Sequence, residues 1–240
     1  AFTGSTAVGK QLMRGCADQV KRLTLELGGK SANIVFADAG DLEHIAKTSA
    51  DGVFFNSGQS CNAPTRILVE DKIRDEFVAL MAKHAKPWTP ADPLDPNTSM
   101  GAVVDKDQMN RVLGYIAEGR KEGATVAAGG AQARQDSGGA YIEPTVFTDV
   151  RNDMKIAQEE IFGPVLSAIS FSDVEEAVEI ANDTIYGLAG ALWTRDVSTA
   201  HKVARQIKAG VVWVNCFDAG DITTPFGGFK QSGFGRDKSL

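Results

Sequence analysis

Cysteine is scarce in this sequence, and so are histidine and long apolar runs. The three cysteines, Cys16, Cys61 and Cys216, are odd in number and widely spaced among 240 residues. That count excludes a disulfide framework and points to a reducing compartment, with the cytoplasm as the expected location. The three histidines (His44, His84, His201) lie in separate helical patterns, and no Cys/His cluster has metal-site spacing. No apolar run approaches the roughly 18 residues of a membrane span. Positive charge is also short, with 25 basic against 31 acidic residues and a net charge of −6. A chain of that balance is not expected to carry a nucleic-acid groove, which needs clustered Lys and Arg.

What is present is ordinary globular material, 43% hydrophobic and 23% charged, which excludes a disordered or collagen-like chain. The length suffices for one large core or two small ones. The 25 glycines imply many tight backbone sites. The chain opens at Ala1 without a Met and enters structure at once. It is therefore expected to be a piece of something longer, with any targeting segment upstream.

Short β-branched runs alternate with helical patterns. Residues 32–36, 66–69 and 211–214 read as strands. Ile73, Phe77, Leu80 and Met81 recur at helical spacing. So do Val174, Ala177, Val178 and Ala181, behind a capping-box-like Asp173 and Glu176. Val197 to Ile207 form a third such helix, with Gly210 as its expected stop. The alternation predicts an α/β fold, a mostly parallel sheet flanked by helices. Residues 87–96 and 129–139 read as surface excursions. Residues 225–235 read as an ordered Gly-rich loop whose Phe226, Phe229 and Phe234 pack.

Four segments carry residues suited to chemistry. Gly4 to Gln11 nearly matches a P-loop, but Gln11 stands where a Mg²⁺-binding hydroxyl belongs. Such a turn either aims free N–H groups at an anion or simply joins strand to helix. Cys61 follows a helix patterned over residues 41–55, amid small polar residues. It is either a partly accessible nucleophile or a buried structural thiol. Glu26 sits between leucines before Gly28 and Gly29. Burial there raises a carboxyl toward the range of a general base, and the alternative is a solvent-facing edge strand. Glu159 and Glu160 precede Ile161-Phe162-Gly163-Pro164, which spacing alone reads as a solvated helix end.

Together these segments resemble the aldehyde dehydrogenase superfamily over essentially the whole chain. The residues that carry the resemblance are Phe2-Thr3-Gly4-Ser5-Thr6, Leu25-Glu26-Leu27-Gly28-Gly29-Lys30, Gly58-Gln59-Ser60-Cys61, residues 159–165 and residues 225–233. The resemblance implies Cys61 as nucleophile and Glu26 as the base that activates water. It implies Gly4, Ser5, Thr6 and Gly9 in the turn facing the pyrophosphate of NAD or NADP. Glu160 would bind the nicotinamide ribose, Phe162 would stand beside the nicotinamide and the Leu27 backbone would contact its amide. Gln108 and Arg111 would fall near a cofactor-contacting helix. The implied reaction oxidises a small-molecule aldehyde to a carboxylic acid through a thiohemiacetal and a thioester on Cys61.

Family members are about twice this length and form homodimers or homotetramers. The resemblance therefore divides the chain into a stub of the dinucleotide-binding domain, residues 1–27, and a catalytic domain, residues 28–240. The chain alone is then expected to be inactive or nearly so. A narrower resemblance, to γ-glutamyl-aminobutyraldehyde dehydrogenases of putrescine breakdown, rests on Asp218-Ala219-Gly220-Asp221-Ile222-Thr223 and residues 235–240. It implies a substrate entrance with Phe55, Asp218, Asp221 and Phe226. The two acids would either attract an ammonium group or stand as ordinary solvated loop acids. Two alternatives remain beside this reading: a P-loop nucleotide hydrolase, and a non-catalytic aldehyde dehydrogenase-like protein.

Overall fold

A computed structural model describes residues 1–238. In chain order the first elements are β1 (Phe2–Thr3), α1 (Thr6–Ala17), β2 (Leu25–Glu26), β3 (Ala32–Val35) and α2 (Leu42–Phe54). Next come β4 (Arg66–Glu70), α3 (Arg74–Ala85), α4 (Lys106–Lys121), β5 (Thr125–Ala128), β6 (Gln132–Ala133), β7 (Tyr141–Ile142) and β8 (Thr145–Thr148). The last third holds α5 (Lys155–Gln158), β9 (Val165–Phe171), α6 (Val174–Asn182), β10 (Tyr186–Gly187), β11 (Ala189–Trp193) and α7 (Val197–Gln206). It ends with β12 (Val211–Val214), β13 (Phe229–Lys230) and β14 (Gly233–Phe234).

Seven strands make the main sheet, in the order β12-β11-β3-β4-β9-β8-β5. Every pairing is parallel except β5 with β8 at one edge. This is the architecture expected from the alternating runs. The central strand β3 is buried at all four positions, as a parallel strand covered on both faces must be. Successive residues point to opposite layers. Ile34 and Leu68 join the layer under α4, α6 and α7, whereas Val35, Ile67 and Val69 join the layer under α2 and α3. The helices start on the expected signals. Asp41, Asp105, Asp173 and Asp196 each accept a backbone N–H three residues on.

Two expectations are corrected here. Gly210 does not stop α7, which already ends at Ile207 with extended backbone. Gly210 instead passes the Gly227 carbonyl so closely that a Cβ would stand 1.6 Å from it. Two of the three phenylalanines of 225–235 do not pack the loop either, since Phe229 is 50% and Phe234 42% exposed, whereas Phe226 is half-buried. The loop is ordered by its small residues: Gly227, Gly228, Ser232 and Gly233 are buried, while Arg236 stacks over the Phe229 ring.

The same loop closes a small second sheet, β1-β2-β14, which places Glu26. In it β2 runs parallel to β1 and antiparallel to β14, with Glu26 opposite Thr3 and Gly233. Glu26 is thus on a central strand. The edge-strand alternative is excluded.

Candidate active site

Cys61 follows α2 through a short 3-10 turn, Phe55–Gly58, in which Asn56 (φ 51°) and Ser57 (φ 56°) are left-handed. Such backbone persists only where the surroundings hold it. Ser57 Oγ donates to the Gly101 carbonyl at 3.1 Å, and Asn56 Nδ2 to the Gln59 carbonyl at 3.0 Å. Gly58 (φ 72°) lies against Gly163, whose carbonyl a Cβ would meet at 2.1 Å. The loop that carries Cys61 is thereby fixed to the turn that carries Glu160 and Phe162. Cys61 itself is partly buried. Burial pushes its thiol up, and the charges of Glu160 and Glu26 push it further; the N–H groups of Cys61 and Asn62 oppose this by favouring the anion.

Glu26 is 5% exposed, and neither carboxylate oxygen has a hydrogen-bond partner among the described residues. Burial, then the charge of Asp237, raises its pKa to about 7, with Arg236 pulling the other way. Gly227 leaves it room, since a Cβ there would come 2.9 Å from Glu26 Oε1.

Glu160 caps the other side. Its Oε1 accepts the Gly29 N–H at 3.2 Å, and a Cβ on Gly28 would stand 2.2 Å from Oε2. Burial raises its pKa against the Gly29 N–H, Lys30 and Arg111. The solvated helix end that spacing suggested is therefore overturned for Glu160, while Glu159 is exposed and accepts the Tyr115 hydroxyl at 2.6 Å. Gln108 Nε2 donates to the Phe162 carbonyl at 2.7 Å, and Arg111 donates to the Glu160 carbonyl at 3.0 Å. Both hold the turn, which Phe162 enters at φ 57°.

A cavity of about 590 Å³ gathers Gly4, Ser5, Thr6, Glu26, Leu27, Cys61, Gln108, Arg111, Glu160 and Phe162. That size is ordinary for a ligand site. Gly9 does not reach it. It is the one buried residue of α1 and packs on Leu27, whose Cδ1 a Cβ would meet at 2.6 Å. The P-loop alternative finds no support at Lys10, which does not line the cavity and whose Nζ donates to Gln231 Oε1 at 2.7 Å. Ser5 caps α1 by accepting the Val8 N–H, so the helix start faces the cavity with its positive end.

Cys61 also lines a second cavity, of about 270 Å³, with Asp218, Asp221 and Phe226. Asn62, Trp213 and Lys238 complete its polar and aromatic wall. None of these three was assigned to a site from sequence, although Trp213 lies in an expected strand and Lys238 in the segment of the narrower resemblance. Phe55 stands apart. It is 66% exposed and lines a groove of about 530 Å³ with Trp88 and Phe217, which meets the second cavity at Asn62 and Asp218. Asn62 Nδ2 donates to Asp218 Oδ1 at 3.1 Å. Among the described residues no three metal-ligating side chains come together, and no helix is long and apolar enough to cross a membrane.

A parallel sheet flanked by helices thus carries Cys61 where two cavities meet, with the buried Glu26 carboxyl lining one of them, an arrangement of α/β enzymes. The aldehyde dehydrogenase family pattern matches residues 1–240, and the chain belongs to that family. It is 50% identical to the NADP/NAD-dependent aldehyde dehydrogenase PuuC of Escherichia coli K12, over 100% of this chain and 48% of that protein. The crystal structure of an indole-3-acetaldehyde dehydrogenase with NAD+ superposes with a TM-score of 0.98 at 56% identity, covering 100% of this chain and 48% of that one. The γ-glutamyl-γ-aminobutyraldehyde dehydrogenase of Burkholderia cenocepacia J2315 does so at 0.97 and 56%, with the same coverage. The chain spans about half the length of the curated relatives it matches.

Proposed function

We propose that this chain is the catalytic portion of an NAD(P)-dependent aldehyde dehydrogenase, with an aminoaldehyde as substrate. The observation that supports it best is that Cys61 belongs to both cavities, one with Glu26, Glu160 and Phe162, the other with Asp218, Asp221 and Phe226. The residues present fit a dinucleotide in part. The N-terminal end of α1 suits a pyrophosphate, and the Glu160 carboxylate suits ribose hydroxyls. PuuC is named for both NADP and NAD, and the indole-3-acetaldehyde dehydrogenase structure holds NAD+.

In this reading the aldehyde enters on the Asp218 side. Cys61 sulfur bonds to the carbonyl carbon, and the thiol proton passes to Glu26, whose pKa of about 7 suits the exchange. The Cys61 N–H donates to the oxyanion that forms. When bound, NAD or NADP supplies the acceptor for the hydride that leaves the thiohemiacetal carbon. Glu26, having released its proton to solvent, then takes one from water. That water attacks the thioester, the acid departs and Cys61 regains a thiol.

The division into a dinucleotide-domain stub, residues 1–27, and a catalytic domain from residue 28 belongs to the same proposal. It draws support from α1, which buries only Gly9 and leaves Val8 and Met13 exposed. The family resemblance extends the proposal to a cytoplasmic homodimer or homotetramer for the whole protein, and to little turnover by these 240 residues alone. A non-catalytic relative is the competing outcome.

Acyl transfer from an activated ester tests the thiol and the base without cofactor. With p-nitrophenyl acetate, peptide mass should find the acyl group on Cys61, accumulating in Glu26→Gln and not in Cys61→Ala. Equal acylation of Cys16 and Cys216, or deacylation indifferent to Glu26→Gln, would remove the proposal.

A further inference from the structure

Lys30 closes the Leu25–Lys30 run, and the proposed chemistry leaves it without a task. It is 2% exposed, and its Nζ has no hydrogen-bond partner among the described residues. Burying an amine in this way is costly to a fold unless a charge or a polar group answers it. A methionine would fill much the same volume without that cost, so what Lys30 adds is its charge.

The backbone around it is tightly fixed. Arg66, fully buried on β4, donates from Nε to the Lys30 carbonyl at 3.1 Å. Three more of its N–H groups go to Asn152 Oδ1 and to the Ile180 and Ala181 carbonyls at the end of α6. Arg66 is thus spent on neutral acceptors and stands beside Lys30 as a like charge. Glu160 and Glu159 supply the opposite charges. Burial and Arg66 push the Lys30 amine down to about 7, and the two carboxylates resist.

Lys30 lines a small chamber of about 10 Å³ with Arg66, Thr184, Tyr186 and Gly187, about the room that one water needs. Tyr186 lines this chamber and also the 590 Å³ cavity, so the two share a wall. On the cavity side of that wall sits Glu160, bonded to the Gly29 N–H and pressed against Gly28. The positive charges that lower the Glu160 pKa are those of Lys30, the residue after Gly29, and of Arg111 on α4.

We propose that Lys30 is a positioning residue for Glu160, its buried and partnerless amine supplying the positive charge that seats the Glu160 carboxylate on the Gly28–Gly29 backbone, facing the cavity. This deepens the reading of Glu160 as the acid of the cofactor cavity and rests on it, but the pairing itself is measurable without cofactor. Charge coupling is reciprocal, so each group reports on the other.

The test is NMR titration of the protein carrying ¹³C-labelled lysine and glutamate side chains. The Lys30 signal, the lysine that titrates near neutrality, should move to still lower pH in Glu160→Gln. The Glu160 carboxyl, identified by its loss in that variant, should move to higher pH in Lys30→Met. Unchanged titration of both groups in folded variants overturns the proposal. If Lys30→Met does not fold, the Glu160→Gln arm decides alone, because it reads Lys30 in an intact core. Calorimetry with NAD separates the two readings. Weaker binding in each single variant, with no further loss in the double variant, supports the pairing. A whole-length wild type that binds no NAD removes the cofactor reading, whereas the titrations still decide the role of Lys30.

Discussion

The backbone of Gly29 lies so close to Cys61 that a Cβ on Gly29 would stand 2.2 Å from the Cys61 carbonyl oxygen. Its neighbour Gly28 makes the same kind of approach to Glu160 Oε2. The strand end that carries Glu26 is therefore wedged between the Cys61 loop and the Glu160 turn. Any side chain at Gly29 must push the Cys61 backbone away. Gly29→Ala should cost about 1–3 kcal/mol, as overpacking a filled interior does. It should also slow acylation of Cys61 by more than the stability loss explains. Urea denaturation and acylation rates, measured on the same preparation, check both.

Glu26 makes stability fall as pH rises. Its folded pKa of about 7 lies above the ordinary carboxyl value of 4.5. Between those values the folded protein holds a proton that the unfolded chain has lost. The loss of stability is complete above pH 7 and amounts to about 3 kcal/mol at 1.36 kcal/mol per unit. Glu26→Gln should therefore be more stable than wild type at pH 8 and nearly equal to it at pH 4. Denaturation midpoints at the two pH values measure this. A wild type whose stability is flat relative to the variant would contradict the burial of an unpartnered carboxyl.

The thiol of Cys61 is held up partly by Glu160. Neutralising that charge in Glu160→Gln should speed alkylation of Cys61 by iodoacetamide several-fold near pH 7.5 and leave Cys16 and Cys216 unchanged. Peptide mass over time resolves the three sites. In wild type the Cys61 rate should climb through alkaline pH, because the thiolate is the reactive form.

At the proposed substrate entrance, Asp221 accepts from the Thr223 N–H and hydroxyl, and these bonds hold its carboxyl below the usual range. It is an ionised group at the cavity mouth. Lys238 lines the same cavity and lies 5.7 Å over the Phe226 ring, so the wall carries two acids and one base. In the whole enzyme, Asp218→Asn with Asp221→Asn should raise KM for a cationic aminoaldehyde several-fold more than for a neutral aldehyde of equal length. Lys238→Met should do the reverse. Equal effects on both substrates would leave these residues as ordinary loop polar groups.

Much of the fold was legible where local chemistry is strong. Residues 32–36, 66–69 and 211–214 are β-branched and apolar, and all three are strands. Asp173 with Glu176 marked a helix start that the backbone confirms. The strand β11, Ala-Gly-Ala-Leu-Trp, was not legible, because small residues carry little strand preference and its pairing with β3 and β12 is non-local. Gly210 misled because a glycine after a helical pattern has two uses, and here close approach to Gly227 was the one required. Phe229 and Phe234 misled because aromatic content argues for packing only where a surface is available to receive it. At the site, Lys30 was legible only as the end of a motif and Tyr186 not at all, since the cavities they line are built from residues far away in sequence.

Composition and pattern alone determined the α/β class, the parallel sheet, the improbability of a membrane span, and a family resemblance written in five short motifs. Those features are local, set by propensity, periodicity and a few residues at fixed spacing. Tertiary structure decided the rest. It put Glu26 on a central strand, turned Gly9 inward, tied Lys10 to Gln231 and brought Cys61 to the junction of two cavities. Burial and the field of distant charges are sums over the whole fold. For that reason the raised carboxyl of Glu26 and the lowered amine of Lys30 exist only once residues more than a hundred positions apart have met.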